Sequence, residues 1–407
     1  MKKSLVLLSL FAGLFPGNVN ANGDIFHYVR GGYLGAIRSF TGDINERRQI
    51  KTDERIFTAN RDWGYNWSYT PLMRACRGIE FQECRDICGI SDSDPYDETQ
   101  KYVVLENGAV KVIDALLDNG AKPNLGDDRG RNPLFVAVER LQGFQVFERL
   151  VEGGADINAK DFMKRTPLHY ATLVPSRIMH DYEGVRDVHY GVLALSRISG
   201  INVNAQDDHG RTPLHYAVIG REETGGEVTG GGKLSRYLPL WTTGAYPYPG
   251  GLSHASQEEG EIMYSDLSNY EFDMRPRGIR ETAEICAKTL LECCKVDPNI
   301  PDKNGNAPLH IACREGDYKM VEILLKYGSL LGVDADHRIG RTHINIDLKD
   351  RNGRTPLQIA QDARKNASKE CKKNYDNIIA RLKSEKHKSE KHKETFWDKF
   401  IRFFKPE

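Results

Sequence analysis

The sequence predicts an all-α solenoid, a stack of about seven helix–turn–helix units interrupted by long inter-helix insertions. Two observations in the residues predict it. Pro-Leu pairs recur with Pro at 71, 133, 167, 213, 308 and 356, and an Ala stands four residues after each: Ala75, Ala137, Ala171, Ala217, Ala312 and Ala360. Five of these Pro are preceded, six residues earlier, by Asp127, Asp161, Asp207, Asp302 or Asp350, and three residues before those come Asn124, Asn158, Asn204, Asn299 and Asp347. Four positions kept in register over five copies are a structural repeat.

Each position has a physical task. Asp and Asn side chains bond nearby backbone and so favour turns. Gly130, Gly210, Gly305 and Gly353 follow the Asp by three residues, where a tight turn needs positive φ. Thr166, Thr212 and Thr355 are placed to cap a helix with Pro at its first position. Leu and the small Ala then face inward at helical spacing, and a second amphipathic run follows, clearest at 318–328.

This pattern resembles the ankyrin repeat. DKNGNAPLHIACREGDYKMVEILLKYG at 302–328 is close to the family consensus, DFMKRTPLHYA (161–171) and DDHGRTPLHYA (207–217) are similar, and residues 24–40 look like a degenerate first helix pair. The resemblance covers most of Asp24 to about Leu382. It departs at Lys164, where the turn Gly would sit, and at 61–72, where the first turn is longer. It implies inner helices lining a concave face, turns projecting as fingers, a protein partner and no enzymatic activity. His169, His215 and His310 share one repeat position, which in this family is a structural hydrogen-bonding one.

The steps between successive Pro are 62, 34, 46, 95 and 48 residues, so the excess over about 33 is inserted material. Three insertions fall between the helices of one unit, near 77–107, 173–189 and 222–279, and a fourth, near 329–343, precedes a turn. The first three should project from one edge, opposite the fingers, with those of units three and four side by side. The 222–279 insertion concentrates Tyr237, Trp241, Tyr246 and Tyr248, which either contact a partner or fold back on the solenoid. His180, Tyr182 and His189 in the 173–189 insertion are further candidate partner-binding residues.

Met1–Ala21 has a Lys2-Lys3 start, a short apolar core and Val19-Asn20-Ala21 as a cleavage pattern, so residues 1–21 are expected to be a signal peptide and the mature chain to be periplasmic or secreted, as an exported bacterial protein. Lys+Arg and Asp+Glu are 57 each, which argues against a nucleic-acid partner. The glycine run at 225–232 has Leu234 after Lys233 and Glu227 where a phosphate loop needs Gly, so no cofactor is expected. His180, Asp181, Asp187 and His189 carry metal-ligand chemistry without helical spacing, and no metal is expected. No catalytic motif stands out; a site assembled by the insertions is the one enzymatic arrangement left open. Of the eight Cys, Cys76 is the candidate to bridge Cys84 or Cys88, with buried thiols as the favoured arrangement.

From Arg364 to Glu407 there are 14 Lys and Arg against 7 Asp and Glu. In the tail at 384–407, the stretch 384–393 reads as a charged solvated helix, and Trp397, Phe400, Ile401 and Phe404 then share one helical face. That segment is either a membrane-surface helix, making the protein a peripheral adaptor, or a helix docked on the last repeat.

Overall fold

A computed structural model describes residues 23–49, 68–77, 98–139, 143–173, 178–181, 187–219, 270–273, 279–328, 332–333, 339–340 and 344–403. For 98–106, 139, 178–181, 187–190, 270–273, 279–282, 332–333, 339–340, 370 and 389–403 the description is of the backbone.

The described helices pair into seven units: α1 (Ile25–Arg30) with α2 (Leu34–Ser39), α3 (Pro71–Cys76) with α4 (Glu98–Asp118), α5 (Pro133–Glu139) with α6 (Phe144–Glu152), α7 (Pro167–Ala171) with α8 (Tyr190–Ser196), α9 (Pro213–Ile219) with α10 (Ile279–Glu292), α11 (Pro308–Arg314) with α12 (Tyr318–Tyr327), and α13 (Pro356–Asn366) with α14 (Lys369–Phe403). First helices stack on first helices and second on second along the whole array. The core is therefore one continuous layer between the two rows, running from Ile25 to Leu382. The repeated Ala lies within it: Ala75, Ala137, Ala171, Ala217, Ala312 and Ala360 are all buried. A larger side chain there would push neighbouring helices apart.

The first helices start as the residues dictate. Thr70 Oγ1 accepts from Met73 N at 3.2 Å with Pro71 at the first helical position. Thr355 Oγ1 accepts from Gln358 N, while Gln358 Oε1 accepts from Thr355 N, so two backbone donors are satisfied reciprocally. In three other units a His takes the Gln role: Nδ1 accepts from the backbone N–H of Thr166, Thr212 and Ala307, each at 3.1 Å.

Each turn is closed by its Asp. Asp161 Oδ1 accepts from Met163 N and Arg165 N, and Asp127, Asp207, Asp302 and Asp350 do the same for residues two and four further on. In two turns the second carboxylate oxygen meets a buried Arg: Arg131 on Asp127 and Arg165 on Asp161, both at 2.7 Å. The asparagines expected to shape the turns do more. Oδ1 of Asn124, Asn158, Asn204 and Asn299 accepts the backbone N–H of Asp156, Asn202, Asp297 and Asn345, each in the following unit. They staple successive units.

Two elements differ from the sequence expectation. Helix α4 begins at Glu98, so the insertion of unit one is shorter than 77–107. The helix runs through Gly108, since one interior Gly costs a helix only about 1 kcal/mol, and Ala109, Val112, Ile113 and Leu116 bury one face beyond it. Short strands also occur: β1 (Arg48–Gln49) pairs β2 (Ser68–Tyr69) ahead of α3, and within the insertions β3 (Ile178–Asp181) lies between β4 (Asp187–His189) and β5 (Tyr270–Asp273), and β6 (Gly332–Val333) pairs β7 (Ile339–Gly340).

Candidate partner-binding edges

The repeat has two long edges, set by helix direction. Fingers enter the N-terminal ends of the first helices; the insertions of units one, three and four leave from the C-terminal ends. The two features therefore lie at opposite ends of the helices.

On the insertion edge, β3 belongs to unit three and β5 to the insertion of unit four, and they pair antiparallel with Ile178 opposite Asp273, Met179 opposite Phe272, His180 opposite Glu271 and Asp181 opposite Tyr270. On its other side β3 pairs β4, with Ile178 opposite His189, Met179 opposite Val188 and His180 opposite Asp187. Two insertions 80 or more residues apart in the chain thus share one sheet. His180 sits in its centre, in register with carboxylate-bearing residues on both sides, and His189 ends β4. Tyr182 lies outside the described residues, as do Tyr237, Trp241, Tyr246, Tyr248 and Phe404. Among the described residues no group of three or more His, Cys, Asp or Glu is placed to hold a metal ion.

On the finger edge the turns are joined into a row by main-chain hydrogen bonds: Phe162 N to Arg129 O at 2.9 Å, Asp208 N to Met163 O at 2.7 Å, Lys303 N to His209 O at 2.8 Å and Arg351 N to Asn304 O at 3.1 Å. The fingers form a ladder, with one main-chain hydrogen bond at each of these four joints. Lys164 adopts φ +59°, while the equivalent Gly130, Gly210, Gly305 and Gly353 lie between +74° and +78°.

Beneath the fingers run the three histidines. His169 Nε2 donates to Arg211 O, His215 Nε2 to Asn306 O and His310 Nε2 to Leu348 O, at 2.9–3.0 Å. A carbonyl can only accept, so Nε2 carries the proton and Nδ1 is left to accept from the cap. All three rings are buried. Burial pushes His169 and His215 down to about 4, and lowers His310 as well. These rings are neutral struts that join one unit to the next. The thiols are similarly inert: Cys76, Cys286 and Cys313 are free and buried, and burial raises each thiol pKa. Cys84 and Cys88 lie outside the described residues.

A sequence profile described as ankyrin repeats (three copies) matches residues 101–178 and 280–373. These two stretches of the chain are ankyrin repeats. One relative is an ankyrin repeat protein of Fowlpox virus (strain NVSL), 41% identical over 59 residues. That match covers 14% of this chain and 12% of the relative. The profile match breaks at 178 and resumes at 280, although unit four, between these limits, keeps the turn, His and Asn contacts of its neighbours. What interrupts the ankyrin pattern is the inserted sequence and not the stack.

The α14 helix closes the array. Tyr375, Ile378 and Leu382 are buried against it, Tyr375 Oη donates to Arg314 O at 2.8 Å, and Arg381 pairs with Glu322 at 2.7 Å. The last described tie is Lys386 to Asp347 at 3.7 Å. Trp397, Phe400 and Ile401 lie further along the same unbroken helix.

Proposed function

We propose that this ankyrin-repeat protein is a scaffold that binds a protein partner through the edge carrying its insertions. The observation that carries the reading is the β3–β5 pairing, which merges the insertions of units three and four into one surface. Ankyrin repeats generally serve as interaction modules and not as catalysts, and this array spends Tyr237, Trp241, Tyr246 and Tyr248 outside its repeats. The test is to replace the four aromatics together by Ser and follow melting and cross-linking to partners in the native host. Capture lost at unchanged melting supports the reading; capture retained overturns it.

Export belongs to the same reading, on the strength of Lys2-Lys3, the apolar core and Val19-Asn20-Ala21. Intact mass of the protein recovered from the envelope or medium should correspond to a chain starting at Asn22.

A second reading, a membrane-peripheral adaptor, is favoured by the continuity of α14. At 1.5 Å per residue, Trp397 lies about 16 Å beyond Lys386, too far to cap the last repeat from its docked position. Among the described residues no helix is long and apolar enough to cross a membrane. Trp397, Phe400, Ile401 and Phe404 with Lys399 and Arg402 instead fit an anionic lipid surface. Sedimentation with phosphatidylserine-containing vesicles, abolished by deleting 394–407 and weakened by high salt, is the expected result.

A further inference from the structure

The finger of unit three departs from the others in two ways. Phe162 stands at its tip 76% exposed, on a backbone hydrogen-bonded to the fingers on both sides. One side of its ring covers Gly130, where an added Cβ would come within 2.9 Å of the ring carbons. Lys164, two residues on, holds a left-handed conformation that costs a non-glycine residue about 1 kcal/mol. Its side chain is 62% exposed, with the ammonium 3.7 Å from Asp208, which is also 3.8 Å from Lys303. Burial accounts for neither side chain.

The charges along the ladder are lopsided. Arg129, Lys160, Lys164, Lys303, Lys349 and Arg351 lie at or beside the tips. Against them stand the exposed carboxylates of Asp208 between its two lysines, of Asp128, which accepts from the Ser68 N–H and hydroxyl at 2.7 and 2.5 Å, and of Asp347, 3.7 Å from Lys386. The Asp that closes each turn is buried within it. In a chain of zero net charge this edge is a basic strip with an aromatic ring fixed in it.

We propose that the finger row is a docking surface for an acidic protein segment bearing an apolar side chain, with Phe162 as its anchor. Carboxylates along the segment meet Lys164 and Lys303, and its apolar residue covers the open face of Phe162. A rigid ring loses little entropy on contact, and strongest contacts in such surfaces come from aromatic anchors ringed by polar groups. The site is at the other end of the helices from the β3–β5 sheet, so it stands apart from the reading above.

The test pans the full mature chain against a random 12-residue peptide display library at physiological salt. Enriched peptides are then titrated onto wild type, Phe162→Ser and the double variant Lys164→Glu/Lys303→Glu. Peptides should be net acidic with at least one aromatic or large aliphatic residue. Both variants should weaken them at least tenfold at unchanged melting temperature, and added salt should reduce affinity for wild type. A Trp241→Ser/Tyr246→Ser variant should bind them as wild type does, which separates this surface from the insertion edge. No enrichment, basic or neutral peptides, equal affinity for the variants, or duplex DNA binding that Phe162→Ser leaves intact would each overturn the proposal.

Discussion

His215 donates from Nε2 to the carbonyl of Asn306, 91 residues later in the chain, at 2.9 Å. The same donor reaches 42 residues from His169 and 38 from His310. Sequence separation more than doubles while the contact does not change. Asn204 to Asp297 and Lys303 to His209 repeat the lesson at the same joint. The stack therefore closes across the long insertion as though it were absent.

Replacing residues 222–268 by a short Gly/Ser linker should accordingly leave the thermal midpoint within a few degrees of wild type. The linker must spare β5 and α10, since α10 supplies Cys286, Ala287, Leu290 and Leu291 to the core. Closure entropy grows slowly with loop length, so shortening it contributes little either way. Loss of cooperative unfolding in this variant would show that the segment is part of the core.

Substituting the strut should be far worse. His215→Ala removes two buried hydrogen bonds, strands the Asn306 carbonyl and the Thr212 N–H, and opens a cavity. A loss of roughly 2–4 kcal/mol is expected by urea denaturation. His215→Gln, which can accept at the cap as Gln358 does, should recover part of it.

Acid should act through the same rings. The folded pKa values of His169 and His215 lie near 4, below an unfolded value near 6.5, so the unfolded chain binds more protons between these limits. The contribution to stability is complete above pH 6.5 and falls as pH drops toward 4, by roughly 2 kcal/mol per ring at pH 5. Lower still, the Asp350 carboxyl adds to the loss: burial opposes its ionisation, but hydrogen bonds from Arg354 and Asn352 hold it below its ordinary value. Thermal midpoints at pH 7, 6, 5 and 4 should fall most steeply below 6.5, and less steeply in His215→Gln.

The turn positions offer an opposed pair. Lys164→Gly relieves a left-handed lysine and should be neutral or stabilising by up to about 1 kcal/mol. Gly305→Ala forces a Cβ to within 2.7 Å of Arg351 N at φ +77°, breaking the finger ladder there, and should cost more than about 2 kcal/mol. Equal effects of the two on denaturation midpoint would contradict the ladder.

What could be read from the sequence was what recurs locally. The Thr-Pro-Leu-His turn carries its cap, its helix start and its strut within four residues; it stands complete at 166–169 and 212–215 and recurs with one or two changes in four other units, which announces it. The role of the asparagines was half legible: their turn preference shows in sequence, but the N–H they capture belongs to the next unit. The β3–β5 sheet was not legible as a sheet, because its strands are four residues long and lie some 90 residues apart, although insertions emerging from equivalent points were expected to be neighbours. Phe162 escaped notice since one aromatic in a turn has no periodicity; only its exposure distinguishes it.

The unbroken α14 has a geometric consequence. Thirty-five residues of helix extend about 52 Å. A flexible tether would let the repeats tumble above whatever its far end holds. A continuous rod, locked to the array by Tyr375, Ile378 and Arg381, fixes both the distance and the bearing of its far end relative to the finger edge and the insertion edge.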